Sequence, residues 1–198
     1  MINRYFFLEL IVLLICPLPF WEHYVVVYYE IPGNNGIFQL RCNYFVSDFI
    51  LVFMFFRFFF LVRSVINYSI YTDAYSKKIC LQYGFTSAYR FASKSHLAMS
   101  PATTVFTVFA FIVFILAYIV RIFELPYYIN DVEDSEGLEK FYNAIWFIVI
   151  TITTVGYGDI YPRTVYGKMV AMSAALLGAL LISLFVLASS KLVDLTEP

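Results

Sequence analysis

The chain has 198 residues, 62% of them hydrophobic and only 14% charged, with 22 Phe. A water-soluble domain of this length cannot bury that much apolar surface, so a soluble globular fold is excluded. A net charge of −1 leaves no basic footprint for nucleic acid.

A membrane helix needs about 20 mostly apolar residues. The first such stretch is 2–20, where Arg4 precedes an apolar run that ends in Cys16-Pro17-Leu18-Pro19. That pattern also resembles a signal peptide, but Glu9 interrupts the run and no small-x-small cleavage site follows. Residues 21–43 read as an external loop carrying Arg41 alone among Lys and Arg. The second span, 45–66, contains Arg57 and Arg63, six positions apart. Each charge that crosses the field supplies only about 2.3 kcal/mol per 100 mV, so two arginines predict little response to voltage. Arg57 at mid-membrane needs a partner, and Glu9 at a similar depth is the expected one.

Residues 71–100 turn polar and basic, with Ile79, Tyr83, Tyr89 and Phe91 spaced for an amphipathic helix. This linker reads equally as a segment lying on the inner membrane surface or as a mechanical arm. The third span is 103–123, followed by an acidic turret at 125–140 with Asp131, Glu133, Asp134, Glu136 and Glu139. Repeated around a symmetric mouth, such acids concentrate cations by focusing the field. Most of them read as members of a solvated loop.

The apolar run 141–151 is too short to cross, and suits a half-helix that dips in and returns through residues 153–159. Re-entrant backbone is tolerated only where protein or a water-filled cavity surrounds it. The return reads Thr153-Thr154-Val155-Gly156-Tyr157-Gly158, then Asp159. A potassium filter needs successive backbone carbonyls turned one way, in rings that replace the ion's water shell. That requires left-handed backbone, which the alternating Gly156 and Gly158 tolerate. Trp146 precedes Asp159 by thirteen positions, a spacing that lets the indole N–H prop the filter through the carboxylate. The alternative is an interfacial Trp beside a solvated Asp.

The last span, 165–187, is the expected pore-lining helix. Gly178 reads equally as a hinge or a packing site. Ser183 and Phe185 lie where the pore narrows, and a ring of Phe185 closes it by dewetting. The Lys/Arg bias places Arg63, Lys77, Lys78, Arg90, Lys94 and Lys191 in the cytoplasm and the acidic turret outside.

The expected fold is therefore an all-α membrane protein, with four transmembrane helices plus a re-entrant pore helix and selectivity filter. One chain supplies a quarter of a filter, so a homo- or heterotetramer in a lipid bilayer, at the plasma membrane, is implied. The stretches divide as a sensor-like helical pair at 1–66, a cytoplasmic linker at 67–100 and a pore domain at 101–198. The expected function is a voltage-insensitive, potassium-selective channel subunit with permeant K⁺ and no cofactor or bound metal. No enzyme is expected, since His23 and His96 lack neighbours at catalytic or metal spacing and the three cysteines are scattered.

The chain also resembles the small- and intermediate-conductance calcium-activated potassium channels. The likeness runs through Phe6-Phe7-Leu8-Glu9-Leu10, Pro17-Leu18-Pro19, Asp48, Arg57, Arg63, Tyr71-Thr72-Asp73-Ala74 and Ser100-Pro101. It continues through Gly156-Tyr157-Gly158-Asp159, Pro162, Gly167-Lys168, Gly178, Lys191-Leu192 and Leu195-Thr196. This resemblance implies a six-helix subunit type whose first two helices are missing here. It also implies gating by calcium through calmodulin, acting on the linker. The calmodulin-binding helices would begin where the chain stops, so a fragment, or a non-conducting partner that modulates full-length subunits, is the alternative expectation. Thr153-Thr154-Val155 departs from that family's usual Ser-Ile, and relatives there carry a small residue near the position of Phe185.

Overall fold

A computed structural model describes residues 10, 14, 16, 23–33, 36–84, 89–130 and 137–194. Strands β1 (Tyr24–Gly33) and β2 (Gly36–Phe45) come first. Helices α1 (Val46–Met54) and α2 (Phe56–Asn67) follow, separated by a turn at Phe55. Next come a single 3₁₀ turn (Ile70–Thr72), α3 (Ala74–Gln82) and α4 (Tyr89–Met99). The chain ends in α5 (Pro101–Asn130), α6 (Phe141–Ile152) and α7 (Val165–Asp194).

Among the described residues, three helical stretches are long and apolar enough to cross a membrane: Val46–Asn67, Pro101–Asn130 and Val165–Ser190. Most of the first expected span lies outside the described residues, and so does Glu9. The expected Glu9–Arg57 pair is therefore not placed, although Arg57 sits half-buried on α2. The turret acids Asp131, Glu133, Asp134 and Glu136 also fall outside. Packing divides the chain into two units. One contains Pro17–Val52 and Phe109–Leu184, and the other contains Phe53–Val108.

In the first unit the short apolar α6 is walled by two long helices. Val113, Leu116, Ala117 and Val120 of α5, spaced by three and four, present one face to Ala144, Phe147, Ile148 and Ile152 of α6. Ala174 and Leu181 of α7 close the core from the other side. Gly178 lies between them on the same face. A Cβ there would stand 2.6 Å from the Ile152 carbonyl oxygen, so only glycine allows this approach. The helix α7 runs unbroken through Gly178, which makes the residue a packing contact with the end of α6.

The hairpin is the main departure from the helical reading, since residues 21–43 were expected to be a loop. Its strands are antiparallel, with Val27 opposite Cys42 and Val25 opposite Tyr44. Along β2, Arg41, Asn43 and Phe45 are exposed while Cys42 and Tyr44 are fully buried, the two-residue alternation of a one-sided sheet. Val46 donates its backbone N–H to His23 O at 2.9 Å, tying the hairpin base to α1. Cys42 is a free thiol that burial, assisted by the charge of Glu124, pushes up to about 11.

In the second unit, the linker forms two short helices and a 3₁₀ turn where one amphipathic helix was expected. The residues facing inward are also smaller than expected. Thr72, Cys80 and Ala92 are buried, while Tyr83 is 75% exposed and Ile79 and Phe91 are partly so. Thr72 donates its hydroxyl to the carbonyls of Asn67 and Ser69, and Asp73 caps α3 by accepting from Ala74 N at 2.8 Å. Adjacent residues thus end one helix and start the next.

Candidate ion-conduction site

Thr153 closes α6: its hydroxyl donates to Val149 O at 2.7 Å and its N–H donates to the same carbonyl at 2.9 Å. It therefore acts as the helix cap at the foot of the candidate filter. The chain then enters left-handed backbone at every second residue, with φ of 61° at Thr154, 57° at Gly156 and 76° at Gly158. Val155 and Tyr157 alternate with them. Glycine carries this conformation without a Cβ penalty, whereas at Thr154 it is strained and must be held by its surroundings.

The holding bonds are visible. Thr154 N donates to Thr151 O at 3.1 Å, and Val155 N and Gly156 N both donate to Ile150 O, at 3.0 and 3.1 Å. These amides are spent on the C-terminal turn of α6. The carbonyls of residues 153–158 accept no hydrogen bond among the described residues. With their amides spent elsewhere, these carbonyls are free to face solvent or an ion. Residues 153–159 are all exposed on the single chain, with Val155 at 53% and Tyr157 at 68%.

Behind this strand, Trp146 of α6 donates its indole N–H to Asp159 Oδ2 at 2.8 Å. The same indole stacks on Tyr157, with centroids 5.8 Å apart and planes 9° from parallel. One side chain thus contacts the strand at two points. Beyond Asp159, the Arg163 guanidinium sits 4.4 Å over the Tyr161 ring. Ser183 and Phe185 are exposed on α7.

Glu124 is a residue that the sequence reading passed over. It is fully buried on α5 and accepts from Arg163 N at 3.1 Å, from Thr164 N at 2.9 Å and from the Thr164 hydroxyl at 2.7 Å. Gly167 packs against it, since a Cβ there would fall 2.0 Å from its Oε1. The carboxylate holds the start of α7, where unpaired amides and the positive end of the helix dipole favour an anion. An acid joined directly to the apolar run ending at Phe123 was the available signal. Ending the span at Phe123 and starting the turret at Leu125 left Glu124 unassigned. In fact α5 continues to Asn130 through Pro126. Glu139, read as a turret acid, contributes its backbone carbonyl, which accepts from Arg121 Nε at 2.7 Å.

Comparison with known proteins bears on this geometry. Residues 103–194 match a family model described as "Ion channel". Fold and match together make this an integral, multi-pass membrane protein. Among relatives, the human "Potassium voltage-gated channel subfamily A member 6" is 40% identical over 74 residues, covering 37% of this chain. The mouse and rat proteins of the same name match to the same extent. The matched stretch spans only 14% of each relative.

These matches correct the resemblance drawn from sequence. The relatives are named as voltage-gated potassium channels, not calcium-activated ones. The residues that suggested the calcium-activated family were short, dispersed groups, and a low arginine count in one span is not a family signature. Calcium activation, calmodulin as partner and voltage insensitivity lose their support with it.

Proposed function

We propose that the chain is a potassium-selective channel subunit that works as one quarter of a tetramer in the plasma membrane. The observation that carries this reading is the alternation of left-handed residues at 154, 156 and 158, with amides turned to Ile150 and carbonyls left without partners. Four such strands around one axis would offer rings of oxygen in place of water. The exposure of residues 153–159 in the single chain supports assembly around that strand.

Within this reading Thr154, Val155, Gly156, Tyr157 and Gly158 line the filter, and Trp146 with Asp159 braces it from behind. Gly178 sets the distance between the inner helix and the filter's foot. The names of the relatives add a voltage-gated potassium channel as the nearest class for gating, and recording across voltage tests whether that extends here.

The test is patch recording of the expressed chain under graded external K⁺ with Na⁺ as competitor. A reversal potential that follows the K⁺ gradient is expected. In Trp146→Phe the indole donor is lost while the ring stays, and conducting channels should decline by about five-fold, the worth of one net hydrogen bond. A current that does not discriminate K⁺ from Na⁺ would overturn the reading. A surface-expressed chain that passes no current, yet alters a co-expressed potassium channel, would replace it with an assembly partner.

A further inference from the structure

The first turn of α7 needs acceptors for its unpaired amides. Thr164 supplies one, accepting from Gly167 N at 2.9 Å, and Glu124 takes Arg163 N and Thr164 N. The next amide, Val165 N, is answered from the hairpin. It donates to the Tyr29 hydroxyl at 3.4 Å, across 136 residues of sequence. That hydroxyl lies 3.2 Å from the hydroxyl of Tyr44, which is fully buried.

Aromatic rings reinforce this contact from two sides. Tyr44 meets Tyr166 of α7 edge-on, with centroids 5.1 Å apart, and Tyr29 meets Tyr127 of α5 at 6.1 Å. Phe49 of α1 packs on Tyr166 and on Phe123, at 5.1 and 5.4 Å. Burial lifts both phenols above their ordinary range, so each keeps its proton and can donate as well as accept. The hairpin therefore grips the start of the inner helix and the end of the outer one. Only five residues separate Asp159, at the outer end of the candidate filter, from Val165.

We propose that Tyr29 and Tyr44 are positioning residues for conduction: through them the hairpin anchors the first turn of α7 and so holds the outer end of the filter in its conducting form. This rests on the potassium-channel reading above. The filter's exit strand is suspended between Trp146 on one side and this anchor on the other. Loosening the anchor lets the exit strand move while the ion-selecting carbonyls keep their chemistry.

The experiment compares Tyr29→Phe and Tyr44→Phe with the unaltered chain during sustained opening. Each variant keeps its ring and loses only the hydroxyl. Decay of the potassium current should be about two- to ten-fold faster in Tyr29→Phe, as expected for one lost hydrogen bond. Raised external K⁺ should slow that decay by occupying the filter, and K⁺-over-Na⁺ preference should not change. Tyr44→Phe, which leaves the Tyr29–Val165 bond in place, should speed the decay less than Tyr29→Phe does. Reduced surface protein with unchanged decay would show a merely structural hairpin and overturn the proposal.

Hydrogen exchange at residues 163–168 in the purified, lipid-reconstituted protein gives a readout that needs no current. Faster exchange there in Tyr29→Phe upholds the anchor even if the unaltered chain proves non-conducting, a result that would fell only the channel reading. Equal exchange overturns the anchor whatever the currents show.

Discussion

In the pore unit, Glu124 reaches backbone 39 and 40 residues away and Tyr29 reaches Val165 across 136. In the unit containing Phe53–Val108, the same kind of side-chain-to-backbone bond is local: Thr72 to Asn67, Ser76 to Ile70, Ser95 to Phe91. Local bonds end helices and shape turns, but they leave the spacing between distant elements free. Bonds that span many residues fix that spacing. An ion filter needs carbonyls held to fractions of an ångström, and the unit that carries the candidate filter is the one stitched across its length. The linker unit exposes Tyr68, Ile70, Tyr75, Leu81 and Tyr83, as the pore unit exposes Ile129, Leu176 and Leu180. In a membrane protein such side chains can rest against lipid or the interfacial layer, where exposure of apolar surface costs little.

The contrast can be broken most forcefully at Glu124. Glu124→Ala leaves the buried Thr164 N and Thr164 hydroxyl, and the part-buried Arg163 N, without their acceptor. At about 1–3 kcal/mol for each orphaned group, the loss should exceed 3 kcal/mol. Thermal unfolding of the purified protein should show a large drop, and Glu124→Gln, which keeps one acceptor oxygen, should lie between. An unchanged melting temperature in Glu124→Ala would mean that the long-range stitching is incidental.

A smaller effect is expected at Gly178. In Gly178→Ala the new methyl meets the Ile152 backbone at 2.6 Å, so α6 or α7 must shift. Overpacking of this kind costs about 1–3 kcal/mol. The same variant sharpens the choice of role. A packing contact predicts altered filter behaviour, read as changed ion preference or current decay, whereas a hinge predicts only altered opening.

The smallest change should come from the linker unit. Ser76→Ala removes a bond of 2.8 Å to Ile70 O, but on an exposed surface and over six residues. Stability should fall by less than about 1 kcal/mol, with conduction intact. A loss comparable to that of Glu124→Ala would erase the distinction between the units.

Much of the pore could be read from the chain because its signals are local. Three of the four apolar runs match membrane-length helices, and 141–151 was recognisably too short to cross. Gly156 and Gly158 marked left-handed backbone, and the interval from Trp146 to Asp159 suited a bond that the structure places at 2.8 Å. The hairpin was missed although Val25-Val26-Val27-Tyr28-Tyr29 and the Gly33-Asn34-Asn35-Gly36 interval carried strand and turn signals. Attention to membrane spans assigned residues 21–43 to loop. Thr154 shares that left-handed conformation, with φ of 61°, which the sequence did not announce. A β-branched residue gives no warning of a positive φ, because only bonds from neighbouring amides to Thr151 and Ile150 hold it there.

By itself the sequence determined that the chain lives in a membrane, where three of its spans lie and which short motif adopts left-handed backbone at alternate residues. Those are properties of apolar run length and of glycine stereochemistry, both written residue by residue. Only the tertiary structure decided that Gly178 touches Ile152, that Glu124 and Tyr29 serve the amides opening α7, and that the hairpin belongs to the pore. Each of those joins groups distant in the chain, and which buried donor finds which acceptor is settled by how the helices pack.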